Sequence, residues 1–106
     1  MFWRRKKKEL NETALRLDGK LLTLVARRYM DENGNPQEEG LGRGGRIDTA
    51  NGHVILSTDK GEVFVNGDIS TVECAELMSK GGAIFTGINE LNGQEETIVC
   101  YYTRRQ

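Results

Sequence analysis

The chain has 106 residues, 37% of them apolar and 29% charged, with a formal net charge of −1. That length suits one domain with one modest core, and the composition fits neither a membrane bundle nor a wholly disordered chain. No apolar run reaches the roughly 18 residues that a bilayer-spanning helix needs.

The small net charge conceals an uneven layout. Five consecutive cations (Arg4, Arg5, Lys6, Lys7, Lys8) follow Phe2 and Trp3, and Arg104 and Arg105 lie near the other end. Between these two groups, eight Lys and Arg stand against all sixteen Asp and Glu. Residues 1–9 are expected to form a basic flexible tail. Alternatively they make a weak peripheral membrane contact, with Phe2 and Trp3 in the lipid interface and Arg4 to Lys8 facing acidic headgroups. Nucleic acid is not an expected partner, because no basic stripe or interleaved aromatic platform continues into the body. Glu9, Asn11, Glu12, Arg16 and Asp18 break up any signal-type apolar stretch, so a cytoplasmic, bacterial protein with an unprocessed N-terminus is expected.

Residues 10–106 are expected to form a single β-rich domain. "TALRL" leads into Asp18–Gly19, a hairpin signal, and then "KLLTLVARRYM". Leu22, Leu24, Ala26 and Met30 share one face at period two, interrupted by Arg28. The spacing of Leu21, Val25, Arg28 and Tyr29 also fits a helix over about 20–32, which keeps an α+β alternative open. "DENGNPQEEGLGRGG" (31–45) holds the only proline and five glycines, and is expected to be a mobile loop. "GLGRGGR" within and after it lacks the Lys-Ser/Thr pair and the helix of a phosphate-cradling loop, although Arg43 and Arg46 could meet an anionic group.

Turn signals then recur at short intervals. Asn-Gly at 51–52, 66–67 and 92–93 each sits between apolar segments, as type I′ hairpins require. "RIDTA", "HVILST", "EVFV", "AIFTGI" and "ETIVCYYT" read as strands, with "DKG" and "SKGG" as further turns. The last of these strands is apolar on both faces, which predicts a central place in a sheet. "DISTVECAELM" fits a strand, but "STVE" also matches a capping box, with Ser70 as N-cap, for a helix over about 71–80.

No residue pattern points to catalysis, a cofactor or a metal. Cys74 and Cys100 form no CxxC pair, and with the single histidine, His53, they cannot complete a zinc site. They are expected as buried small apolar residues, with a disulfide open only if their strands are neighbours. His53 is expected as a turn histidine. The pairs Glu38–Glu39 and Glu95–Glu96 are expected as solvated faces or edge protection. Consecutive tyrosines on a strand face opposite sides, so Tyr101, Tyr102 and the nearby Arg104 form a candidate partner surface.

"HVILSTDKGEVFVNGDISTVECAEL" (53–77) resembles the central hairpins of pleckstrin-homology and GRAM-type domains, at Val63, Phe64, Val65, Asp68, Ile69, Val72 and Glu73. The resemblance covers about a quarter of the chain and implies a small β domain. That family closes with a C-terminal amphipathic helix, where this chain has a strand pattern and "TRRQ", so no binding residue carries over. The expected molecule is mainly β: one antiparallel meander of about seven or eight strands closing into a barrel or sandwich. Its expected role is that of a small non-enzymatic intracellular binding or adaptor module with a protein partner. Peripheral membrane association is one alternative, and a small enzyme or ligand carrier with a hidden pocket is another.

Overall fold

The computed structural model describes residues 12–102. The candidate contacts Phe2, Trp3, Arg4, Arg5, Lys6, Lys7, Lys8 and Arg104 lie outside the described residues. Eight strands are present: β1 (Leu22–Met30), β2 (Pro36–Arg43), β3 (Ile47–Asp48), β4 (Val54–Thr58), β5 (Gly61–Asn66), β6 (Glu73–Glu76), β7 (Gly82–Asn89) and β8 (Gln94–Tyr102). They form two antiparallel sheets, one ordered β2-β1-β8-β7-β6 and one ordered β3-β4-β5. The chain is therefore mainly β, but it is not a single meander. β8 lies between β1 and β7, because Ile98 and Val99 are buried on opposite faces and both edges need a partner.

Several local expectations are corrected. "TALRL" is not a strand: residues 12–16 are helical, and Gly19 (φ 81°) ends the turn that follows. Ala14 and Leu17 enter the core, while Asp18 accepts the Thr49 N–H at 2.7 Å. Neither alternative helix exists, since 20–32 contains β1 and 71–80 contains β6. The cap in "DISTVE" is Asp68, which accepts the Ser70 N–H of a single 3-10 turn, so Ser70 is not the N-cap of a longer helix. The expected loop at 31–45 carries β2. Asp31 closes the preceding turn by accepting the N–H groups of Asn33 and Asn35, each at 2.9 Å.

Of the three Asn-Gly pairs after residue 46, Asn51 (φ 58°, ψ 26°) and Gly52 (φ 80°) turn the chain in the type I′ sense between β3 and β4, but the nearest ladder pair is Asp48↔Ile55, so the connection is longer than the expected two-residue hairpin. Asn92–Gly93 belongs to a longer β7–β8 connection closed by Gly93 N–H to Asn89 C=O at 2.7 Å. Asn66–Gly67 is no hairpin, because β5 is followed by the 3-10 turn and a crossing to β6.

A β-bulge at Thr23 decides which residues of β1 reach the core. Leu22 pairs with Tyr102 and Leu24 with Tyr101, leaving Thr23 extra; its hydroxyl donates to the Tyr101 carbonyl at 3.2 Å. Leu22 and Leu24 consequently face opposite sides, contrary to simple alternation. The inner face of the large sheet presents Leu22, Val25, Ala83, Phe85, Ile98 and Cys100 to Ile47, Val54, Leu56 and Phe64 of the small sheet. Cys74 and Cys100 share this core as free thiols, and burial pushes the Cys74 thiol up to about 12.

The glycines of "GLGRGG" let the sheets approach. A Cβ on Gly45 would lie 1.9 Å from the Ser57 carbonyl oxygen, and Gly45 has φ +84°. Through this contact, residues 43–47 hydrogen-bond to β1 on one edge and to β4 on the other. Gly45→Ala is expected to destabilise the fold by about 3 kcal/mol or more, from clash and strain together. Urea denaturation checks this, with Gly40→Ala as a near-neutral control, since a Cβ there meets nothing within 4 Å.

Candidate functional site

Three charged doublets lie on adjacent strands: Arg27–Arg28 on β1, Glu38–Glu39 on β2 and Glu95–Glu96 on β8. Side chains alternate along a strand, so each doublet must send one charge to each face. On the inner face, Arg27 donates to Glu96 at 3.0 Å and also to Glu39. On the outer face, Arg28 Nε donates to Glu38 at 3.0 Å, and the Tyr101 hydroxyl donates to the same carboxylate at 2.9 Å.

The inner set belongs to a larger network. Glu96, only 8% exposed, accepts from Asn89 Nδ2 at 2.9 Å and from Asn92 Nδ2 at 3.0 Å. Asn89 Nδ2 also donates to the Val63 carbonyl at 2.9 Å, and Asn89 Oδ1 accepts the Val65 N–H at 3.2 Å. Asn66 reciprocates by donating to the Ile88 carbonyl at 2.9 Å. Side chains thus join β5 to the end of β7. Burial works to raise the Glu96 pKa, but the hydrogen bonds from Asn89, Asn92 and Arg27 outweigh it and hold the carboxyl below its usual range. Edge protection was the expectation for Glu95–Glu96; Glu96 is instead a buried partner of this network.

Beyond the pair Arg28↔Thr97, β1 and β8 separate, although β1 continues with β2 to Met30↔Pro36 and β8 with β7 to Gln94↔Asn89. The two hairpins diverge as a fork. It encloses a cleft of about 590 Å³ lined by Arg27, Arg28, Tyr29, Glu39, Thr86, Gln94, Glu95, Glu96 and Thr97. Tyr29 in its lining is about half exposed, and Met30 at the end of β1 and Ile88 near the end of β7 are exposed too. Tyr101 rises from β8 and reaches Glu38 on β2, so its side chain crosses Ala26 of the intervening β1, which is 2% exposed.

The expected partner surface is therefore divided. Tyr101 lies on the outer face, whereas Tyr102 is withdrawn into the core and contributes no surface. The Tyr102 hydroxyl is buried with no hydrogen-bond partner among the described residues, and Lys20 Nζ lies 4.8 Å from its ring centroid. His53 sits on the type I′ turn with Nε2 3.1 Å from Asp48 Oδ1. Among the described residues, no group of three or more His, Cys, Asp or Glu is placed to hold a metal ion. No described helix is long and apolar enough to cross a membrane. Arg27, Arg28 and Asn89 are not candidates from the sequence, and Glu39 is expected there only on a solvated face or as edge protection; the charged doublets are a signal for the arginines and Glu39, and none marks Asn89.

Compared with family models, curated proteins and solved structures, the chain matches none.

Asn89→Ala is expected to cost roughly 2–4 kcal/mol, because it removes partners from the part-buried backbone groups of Val63 and Val65 and from the buried Glu96 carboxylate. Urea midpoints should show this loss exceeding that of Asn92→Ala. Since the Glu96 pKa is depressed on folding, its contribution is complete above the unfolded value of about 4.3 and is lost as pH falls through the lower folded value. Glu96→Gln should accordingly be less stable than the wild type at pH ~7, and the gap should narrow in acid.

Proposed function

We propose that the chain is a small non-enzymatic binding module for a protein partner. Its contact surface is the ridge of Tyr101, Arg28 and Glu38 together with the apolar rim of the fork. We also infer that the two sheets curl into one incomplete barrel, joined along residues 43–47 and at the Asn89–β5 seam. The observation that carries the binding reading is the ordered Tyr–Glu–Arg set beside a cleft lined by Tyr29, with Met30 and Ile88 exposed near the ends of β1 and β7. Tyrosine and arginine beside accessible apolar groups supply most of the energy in protein interfaces. The charges in the cleft favour binding over proton transfer. Arg27 bridges Glu39 and Glu96, and the depressed Glu96 is a poor proton donor near neutrality.

Met30 and Ile88 are exposed, so arginine at either position should leave the fold intact while abolishing a complex formed by this surface. Crosslinking in the native cell with the wild type and with Met30→Arg and Ile88→Arg checks this. A complex captured equally by all three overturns the assignment, as does substrate turnover that depends on His53 or on Glu39.

A second reading rests on the sequence observation of five cations behind Phe2 and Trp3. We propose that residues 2–8 give weak, salt-sensitive contact with anionic lipid, on the order of 1 kcal/mol per cation. Deleting residues 1–8 should abolish sedimentation with phosphatidylglycerol vesicles at low salt. Unchanged sedimentation would remove this reading.

A further inference from the structure

Between residues 12 and 102, acidic side chains outnumber basic ones fifteen to eight. With carboxylates in such excess, a cation without one beside it stands out. Arg16, Arg27 and Arg28 each form an ion pair, and Arg46 lies within electrostatic reach of Asp48. Among the described residues no carboxylate pairs with Arg43 or Lys60, both of which are exposed, and both line one cleft of about 390 Å³, beside β2 and away from the fork. Leu24 and Leu41 supply its apolar wall, and Gly40 leaves it open, since a Cβ there would meet nothing within 4 Å.

The backbone holds this arrangement. Asp59 and Lys60 form the two-residue turn between β4 and β5, where Thr58 pairs with Gly61. Thr58 Oγ1 accepts the Lys60 N–H at 3.1 Å and donates to the Gly61 carbonyl at 3.3 Å. The Asp59 N–H donates to the Arg43 carbonyl at 2.8 Å, which fastens the turn to β2. Gly42 permits the approach, because a Cβ on it would lie 2.8 Å from the Thr58 side chain. The glycine run thus does more than bend the strand: it brings Lys60 to the cleft that Arg43 lines. Asp59, the third charged group lining the cleft, opposes an anion there.

We propose that this cleft binds a small amphiphilic anion, a carboxylate or phosphate monoester with a short aliphatic chain. The head lies between Arg43 and Lys60, and the chain lies against Leu24 and Leu41 above Gly40. The cleft volume is within the roughly 300–1,000 Å³ range of small-molecule sites. This site is independent of the protein-binding surface at the fork.

The test is a titration of the ¹⁵N-labelled full chain, followed by amide shifts, with hexyl phosphate, hexanoate, hexanol and hexylamine as probes. The two anions should give saturable shifts at residues 40–43 and 59–61, and hexanol and hexylamine should not. Combining Arg43→Gln with Lys60→Gln should weaken hexyl phosphate binding by about tenfold, and Asp59→Asn should strengthen it. Gly40→Val, which fills the cleft at an unstrained strand position, should weaken it without changing the amide pattern elsewhere. Vesicles of phosphatidylglycerol that displace hexyl phosphate from these amides would identify the anion as a lipid headgroup; failure to displace it would identify a soluble ligand. Equal shifts with hexanol or hexylamine, no saturable shift with either anion, or weakening by Asp59→Asn would overturn the proposal.

Discussion

The two sheets meet at one end where no backbone ladder joins them, and buried amides there must still find partners. Asn89 supplies them. Its amide group gives β5 an acceptor and a donor in the positions that a neighbouring strand would occupy, and it reaches the Glu96 carboxylate as well. Once Asn89 and Asn66 tie β5 to the end of β7, that end is drawn towards the small sheet. The β7–β8 hairpin then departs from β1, and Arg27 spans the resulting gap between Glu39 and Glu96. The fork is thus a product of satisfying polar groups in the core.

The parts legible in the sequence were those governed by local rules. The β8 segment has apolar residues on both faces, and burial on both faces demands a central strand. Asn51–Gly52 has two residues that tolerate positive φ, and the type I′ turn follows. What stayed hidden depended on distant partners. "PQEEGLGR" has almost no apolar content, yet it is a strand because β1 offers a ladder and its charges meet Arg27 and Arg28. Thr23 carries no bulge signature, and its extra residue exchanges the faces of Leu22 and Leu24. The charged doublets could have been interpreted sooner. On a strand one member must turn inward, and an inward charge requires a counter-charge from another strand.

The same alternation makes two separate ion sets: Arg27, Glu39 and Glu96 bond with one another and, through Glu96, with the asparagines, whereas Arg28, Glu38 and Tyr101 bond on the outer face. Tyr101, lying across Ala26, also divides the outer face. Apolar and mixed-charge surface lies towards the fork, and the cation-lined cleft lies where the β4–β5 turn meets β2. The two proposed binding surfaces share no side chain.

The pairing of β1 with β8 has a consequence for biosynthesis. The large sheet has its earliest and latest strands side by side, so residues 22–30 lack their permanent neighbour until residue 102 has been translated and has cleared the ribosome exit tunnel. The β1–β2 pair, the β3–β4–β5 unit and the β6–β7 pair can form beforehand, but the closure through β8 cannot, and long-range closure of this kind is slow. During elongation the nascent chain must keep Leu22, Val25 and Phe64 from promiscuous association, a demand that falls on chaperones and on its own acidic charge.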